Sequence, residues 1–285
     1  MNEISFSLIL LFGAIFAGFI GALTGLGGGI VIVPLLTLGL GVPMKYAVAA
    51  SLISVIGTSS GAASAYVKEG ITNMRIGMFL EIATTLGAIL GAVLVILVDL
   101  PVDIIGIIFG AVLIVTAVLS AQKKPDHREP FVPGSYADKL QLYGTFPHNG
   151  KEESYSSRNV FGGFSIMALA GFLSGLLGVG GGVFKVLAMD NIMRLPFKVS
   201  TTTSNFMIGV TAAASSIIYF AGGYVVPSIA APVVIGVILG SLIGSKVLIH
   251  INVQLLKRIF AIVVGILAVY MIYNGYAGNF SHRSH

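Results

Sequence analysis

The sequence predicts an all-α polytopic membrane protein of two inverted repeats, each of about five hydrophobic segments, with the second segment of each repeat short and broken at a glycine cluster. Three observations lead there. Of the 285 residues, 56% are hydrophobic and 9% charged, with a mean hydropathy of +0.98, which is the composition of a chain surrounded by lipid. The sequence also copies itself: Gly25-Leu26-Gly27-Gly28-Gly29 returns as Gly178-Val179-Gly180-Gly181-Gly182, 153 positions later. Held at that offset without a gap from Gly18 to Gly91, the alignment keeps Phe19/Phe172, Pro43/Pro196, Lys45/Lys198, Ser51/Ser204, Thr58/Thr211, Tyr66/Tyr219, Gly87/Gly240 and Gly91/Gly244, an internal repeat. Finally, the basic residues gather in short connections between apolar segments, where they act as orientation signals.

The apolar segments run Ile4 to Thr24, Gly28 to Leu40, Ala47 to Val67, Ile76 to Val98 and Val102 to Ala121. The second set runs Val160 to Leu177, Gly181 to Met193, Val199 to Phe220, Ile229 to Ile249 and Leu255 to Tyr276. Four in each half approach the ~20 residues of a spanning helix, whereas the second covers only ~20 Å of a ~30 Å core. The start, MNEISFSLIL, lacks the basic region of a cleaved signal peptide and reads as the first span, retained.

Charge tests the topology. With five crossings per half and the N-terminus outside, Lys68, Arg75, Lys123, Lys124, Arg128, Arg194, Lys198, Lys246, Lys257 and Arg258 all face the cytoplasm. Chiefly Lys45 and Arg283 are left outside, together with Asp99 and Asp103. The alternative, eight spans with two re-entrant hairpins, puts one half's basic loops on the wrong side. The chain therefore divides into a first membrane repeat (1–121), a cytoplasmic linker (122–159) and a second membrane repeat (160–285). The linker, from Gln122 to Asn159, is the one long polar stretch and holds Pro125, Pro130, Pro133 and Pro147. Its expected role is to let an inverted second half start on the right side, with a regulatory lid as the other reading.

A net charge of +5 and pI near 9.4 would suggest nucleic acid in a soluble chain, but here the positive charge belongs to membrane loops and no nucleic-acid partner is expected. With no cysteine there is no disulfide framework and no thiolate site, and no metal or other cofactor is called for. An intramembrane hydrolase would need a nucleophile and a base at depth. The five histidines, His127, His148, His250, His282 and His285, fall at loops, an interface or the tail, so an enzyme is not expected.

Glycines inside an apolar stretch free backbone groups that hydrocarbon cannot satisfy, so they must line something polar. A dinucleotide fingerprint needs a soluble strand-turn-helix, which neither copy has. Amides exposed at a broken membrane helix carry partial positive charge and bind anions; tight helix crossing is the alternative. Gly27, Gly28, Gly29, Gly180, Gly181 and Gly182 are accordingly candidate binding residues. Lys185 follows Gly182 by three positions, at membrane depth, and requires a negative partner: a bound anion, Asp190 or Glu81. The next segment of the second half opens Ser200-Thr201-Thr202-Thr203-Ser204-Asn205; its Thr202, Thr203, Ser204 and Asn205, with Ser51 in the first half, supply donors suited to an oxyanion, or serve as helix glue. Glu81, a carboxylate inside an apolar run, is a candidate proton relay or a snorkelling side chain.

The duplicated glycine pattern followed by a proline-led segment bearing Ser and Thr resembles the sulfite exporter TauE/SafE family of membrane transporters. The likeness rests on GALTGLGGGIVIVPLL with PMKYAVAAS, and on GFLSGLLGVGGGVFKVL with PFKVSTTTSN. It implies a multi-pass protein of the cell membrane, the inner membrane of a prokaryote, that moves sulfite, sulfonates or related small organosulfur or sulfur oxyanions. The partners so implied are that anion and the lipid bilayer, with homo-oligomerisation left open. An anion channel, or an uptake permease for another small anion, is the alternative. Leu187 stands where the first copy has Pro34, and Lys185 replaces Ile32, so the two halves should contribute unequally. An anion leaving a cell that is negative inside gains ~2.3 kcal/mol per 100 mV, which makes export the simpler direction.

The topology can be checked with tags. A C-terminal tag should be cut by protease added to intact cells while the central linker stays protected; the reverse pattern would overturn the orientation.

Overall fold

The computed structural model describes residues 3–24, 27–68, 70–98, 100–121, 133–148, 151–247 and 253–280. Gly25, Leu26, Asp99, Lys123, Lys124, Pro125, Arg128, Pro130, Arg283 and the histidines His127, His250, His282 and His285 lie outside these residues. In the first half the helices are α1 (Glu3–Thr24), α2 (Gly29–Pro34), α3 (Met44–Lys68), α4 (Met74–Leu97) and α5 (Val102–Ala121). The short α6 (Tyr136–Lys139) and the strands β1 (Tyr143–His148) and β2 (Lys151–Ser156) follow. The second half contains α7 (Val160–Leu177), α8 (Gly182–Leu187), α9 (Phe197–Ala221), α10 (Pro227–Val247) and α11 (Val253–Tyr276). Among the described residues, Met74–Leu97, Val102–Leu119, Val160–Leu177, Phe197–Ala221 and Pro227–Lys246 are long and apolar enough to cross a membrane.

The repeat holds to the residue in its central elements. α3 and α9 are both 25-residue helices beginning at equivalent positions, and α4 and α10 also start 153 positions apart. α2 continues into a π-helical turn, Leu35–Gly39, and α8 into its equivalent, Ala188–Ile192. The first copy has Pro34 before that turn and the second has Leu187, so the proline is not what makes the turn. The wider backbone is a property of the broken segment itself.

Helices are exchanged between the halves: α1 packs on α10 and, equivalently, α7 on α4. Both pairs run parallel, with backbone against backbone. A β-carbon on Gly87 or Gly91 would lie 2.1 Å from the carbonyl oxygen of Ala168 or Phe172, and one on Gly171 or Gly175 would lie 1.9 or 2.0 Å from that of Thr84 or Ala88. Gly240 repeats this against Ile15, at 2.0 Å. In lipid there is no hydrophobic force to join helices, so this close approach supplies the dispersion contact that does. α3 and α9 cross between these pairs and run antiparallel: Tyr46 packs against Tyr224, Ser59 bonds the Asn205 carbonyl, and the Asn73 amide bonds Thr203. α5 and α11 close the outside.

The linker is more than a spacer. β1 and β2 form an antiparallel hairpin with Tyr143 opposite Ser156 and His148 opposite Lys151. Ala137, Leu142, Phe146 and Tyr155 are buried in one cluster with Ile76 and Leu80 of α4, Met167 of α7, Met193 and Met207. Four apolar side chains spread through a polar run are enough to fold it onto the end of the bundle, and their spacing is too sparse to announce a helix or strand. Asn73 locks the hairpin by donating to the Tyr155 hydroxyl at 2.9 Å and the Tyr143 carbonyl at 3.3 Å. Burial pushes the Tyr155 phenol up, against the opposing pull of that Asn73 bond, so it remains neutral at physiological pH.

Gly87→Val and Gly240→Val should each cost ~1–3 kcal/mol of stability through forced separation of backbones, read as a lower heating midpoint of monodisperse protein in detergent. Gly265→Ala, where a β-carbon meets nothing within 4 Å, should leave the midpoint unchanged.

Candidate functional site

The site grows from the two glycine turns. Gly27 has φ +79°, and Gly178, Gly180 and Gly181 have φ +72°, +73° and +68°, a region that costs residues with a β-carbon ~1–2 kcal/mol each. The copies are not identical, since Gly28 is right-handed at φ −67° where its equivalent Gly181 is left-handed. The turns meet back to back. A β-carbon on Gly27 would stand 3.5 Å from Ile208 Cγ2 and 3.8 Å from Val55 Cγ1; on Gly180 the same two atoms would lie at 2.6 and 2.9 Å. On Gly29 it would lie 2.6 Å from the Gly178 carbonyl oxygen. Val55 and Ile208 are equivalent in the repeat and sit near the middle of α3 and α9. Both broken segments therefore converge at half the length of the two central helices.

Ser51 crosses between halves, its hydroxyl donating to the Gly178 carbonyl at 2.7 Å, and Ser204 donates to the Gly182 carbonyl at 3.4 Å. Two buried donors of the second half lack hydrogen-bond partners among the described residues, Ser174 Oγ on α7 and Asn205 Nδ2 on α9. Ser174 belongs directly to the turn, since a β-carbon on Gly181 would be 3.3 Å from its own. A buried orphan donor costs ~1–3 kcal/mol unless something accepts from it. Thr202 instead donates to its own helix, to the Lys198 carbonyl at 3.0 Å or the Val199 carbonyl at 3.2 Å, and Thr203 accepts from the Asn73 amide at the hairpin end. Those two hydroxyls are engaged away from the glycines.

Lys185, on α8, is fully buried. Glu81 of α4, a residue of the other half, is its counter-charge, with Nζ and Oε2 3.8 Å apart. Thr211 of α9 bridges them: Lys185 Nζ donates to its hydroxyl, which donates to Glu81 Oε1 at 2.5 Å. Thr85 donates to the same oxygen at 3.0 Å. Of the partners the sequence offered for Lys185, the structure supplies Glu81; Asp190 is buried in the π-helical turn that continues α8. Glu81 is nearly buried but lines a groove of about 430 Å³ between α4 and α9, together with Met78, Ile82, Thr85, Leu86, Phe206 and Val210. Met78, Ile82 and Leu86 are more than half exposed, so the groove opens where lipid surrounds the protein.

Thr211 and Ser174 were not singled out from the sequence. The signal for Thr211 was present, because Thr58/Thr211 is one of the identities of the repeat. Ser174 carries no such mark, since Gly21 occupies its place in the first half.

A duplicated helical membrane protein whose broken segments meet between two central helices, beside a buried ion pair, defines a class: a multi-pass membrane transporter rather than an enzyme. The chain belongs to the sulfite exporter TauE/SafE family, whose model matches residues 10–271. It is 30% identical over 278 residues to the probable membrane transporter protein YunE of Bacillus subtilis (strain 168), covering 95% of this chain and 98% of that one. It is 27% identical over 239 residues to the probable membrane transporter protein YdhB of the same organism, covering 84% and 87%. To the probable membrane transporter protein ORF9 of a Sinorhizobium species it is 24% identical over 276 residues, covering 95% of each. No solved structure matches the chain significantly.

Removing one member of the buried pair strands the other's charge. Lys185→Met and Glu81→Gln should each lower stability, by ~3–5 kcal/mol where nothing else relieves the charge, and the double variant should recover most of the loss; heating midpoints of the three proteins in detergent check this.

Proposed function

We propose that the protein is a secondary transporter of sulfite, sulfonates or related organosulfur anions, working as an exporter, with its two halves inverted. The convergence of the two glycine turns between Val55 and Ile208 carries this reading, because it puts main-chain amides from both halves at one depth, where no lipid reaches them. The anion is held by the turns Gly27 to Gly29 and Gly180 to Gly182, by Asn205 and by the charge of Lys185, while Ser51 and Ser204 steady the turn carbonyls of Gly178 and Gly182. The unpartnered Ser174 hydroxyl beside Gly181 supports a site weighted to the second half, since an oxyanion there would accept from it. The antiparallel course of the equivalent helices α3 and α9 supports the inversion, because equivalent elements of two inverted halves must point in opposite directions. Export follows from the family's description as sulfite exporters.

Efflux of sulfite, thiosulfate, taurine and sulfoacetate from loaded proteoliposomes tests the function, with chloride as the comparison. Gly28→Val and Gly181→Val should abolish efflux of the favoured anion at equal reconstitution, since a β-carbon on Gly28 stands 3.1 Å from Thr58 Oγ1 and one on Gly181 2.7 Å from the Ala170 carbonyl oxygen. Wild-type flux in both variants would overturn the site, and chloride moving as fast as every sulfur anion would overturn the substrate class.

A further inference from the structure

We infer that Lys185 is shared: it pairs with Glu81 while the anion site is empty and with the anion when the site is filled, and Glu81 then takes up a proton from the water that enters with the anion, so that one proton travels with each anion. This rests on the anion reading above and adds its coupling.

Three features carry it. The pair joins three elements, Glu81 on α4, Lys185 on α8 and Thr211 on α9, so any motion of the broken segment α8 against these two helices acts on it. Lys185 is wholly enclosed whereas the Glu81 side chain is 10% exposed, so of the two only Glu81 can be reached from outside the bundle without a rearrangement. The contacts are also those of a shared partner. The charges stand 3.8 Å apart, beyond hydrogen-bond distance, with Thr211 donating to the carboxylate and accepting from the ammonium. Thr211 can therefore hold Lys185 while the carboxylate is replaced by another anion. Among the described residues the neighbouring helices add few other titratable groups. α7 has no titratable residue, and those of α9, Lys198 and Tyr219, lie at its two ends. α4 adds Arg75 at its exposed start, and α8 adds Lys185 itself, with Asp190 in the turn that follows.

An anion beside Lys185 removes the charge that keeps Glu81 ionised in a medium where an unpaired carboxylate is costly. Protonation then restores neutrality. A singly charged anion moves with its proton as a neutral pair, and the membrane potential does no work on it.

Dicyclohexylcarbodiimide tests the proton directly. It is apolar and reaches the groove from the bilayer, and it reacts with the carboxylic acid form: the carboxyl oxygen bonds the central carbon, the acid proton passes to nitrogen, and nothing leaves. Labelling of Glu81 in the full-length protein in proteoliposomes is read by mass spectrometry at neutral pH. Wild type should label weakly, Lys185→Met several-fold more, and Lys185→Arg like wild type, which separates loss of charge from damage to the fold. Methanesulfonate, which is inert to the reagent, should raise wild-type labelling several-fold. Labelling that ignores Lys185→Met, or an anion that is transported without raising labelling, would overturn the proposal. A rise in Lys185→Met with neither labelling nor flux responding to any sulfur anion would uphold the pair and overturn the substrate class instead. Flux supplies the second reading: with bound anion as partner for Lys185, Glu81→Gln should move the anion without its proton. An imposed ~60 mV should then change its accumulation ratio about tenfold, and leave wild type unmoved. Equal response in the two proteins would overturn the coupling.

Discussion

Main chain lying against main chain, with no side chain between, is the contact on which this molecule depends. It holds α1 to α10 and α7 to α4, and it brings the Gly29 and Gly178 regions of opposite halves within reach of each other. In water such contacts would compete with solvation of the peptide group. In hydrocarbon the peptide group has no such alternative, and a helix pair that meets without side chains keeps its own hydrogen bonds while gaining dispersion. Glycine therefore serves two ends here: in the parallel pairs it permits approach, and at the two turns it permits left-handed backbone.

The same constraint explains the inequality of the halves. A duplicated chain could have kept two equal sites, but only the second half carries Lys185 and only the first carries Glu81, where the repeat offers Ile32 and Val234. Each charge is tolerable at depth because the other half answers it, and Thr211, kept in both copies as Thr58 and Thr211, has become the link. The charges thus bind the halves to each other where the glycines bind them by shape.

Much of the architecture was legible because its signals are periodic or duplicated. Hydropathy located every long helix, and the offset of 153 located the broken segments and their partners. The site was legible in part. The glycines, Lys185 and Glu81 stand out since each violates what lipid allows, but which hydroxyls belong with them depends on helix rotation, and composition says nothing about that. Thr203 looked like a donor for an anion and instead receives the Asn73 amide, whereas Ser174, one small residue among many, lies at the turn. The hairpin was missed because Phe146 and Tyr155 bury themselves only when paired across strands that a polar, proline-bearing run does not advertise.

The hairpin makes the two ends of the bundle mechanically unlike. At its end, Asn73 joins the start of α4 to α9 and to both strands, and the Arg158 amide bonds the Met193 carbonyl beyond the second π-helical turn. Those pieces are stitched together by directional hydrogen bonds. The opposite end is closed by aromatic faces, with Tyr224 against Tyr46 and Tyr219 and the Lys45 ammonium 5.4 Å from its ring. These edge-to-face ring contacts are less directional than hydrogen bonds and tolerate sliding, so the two ends of the bundle are held by contacts of different stiffness.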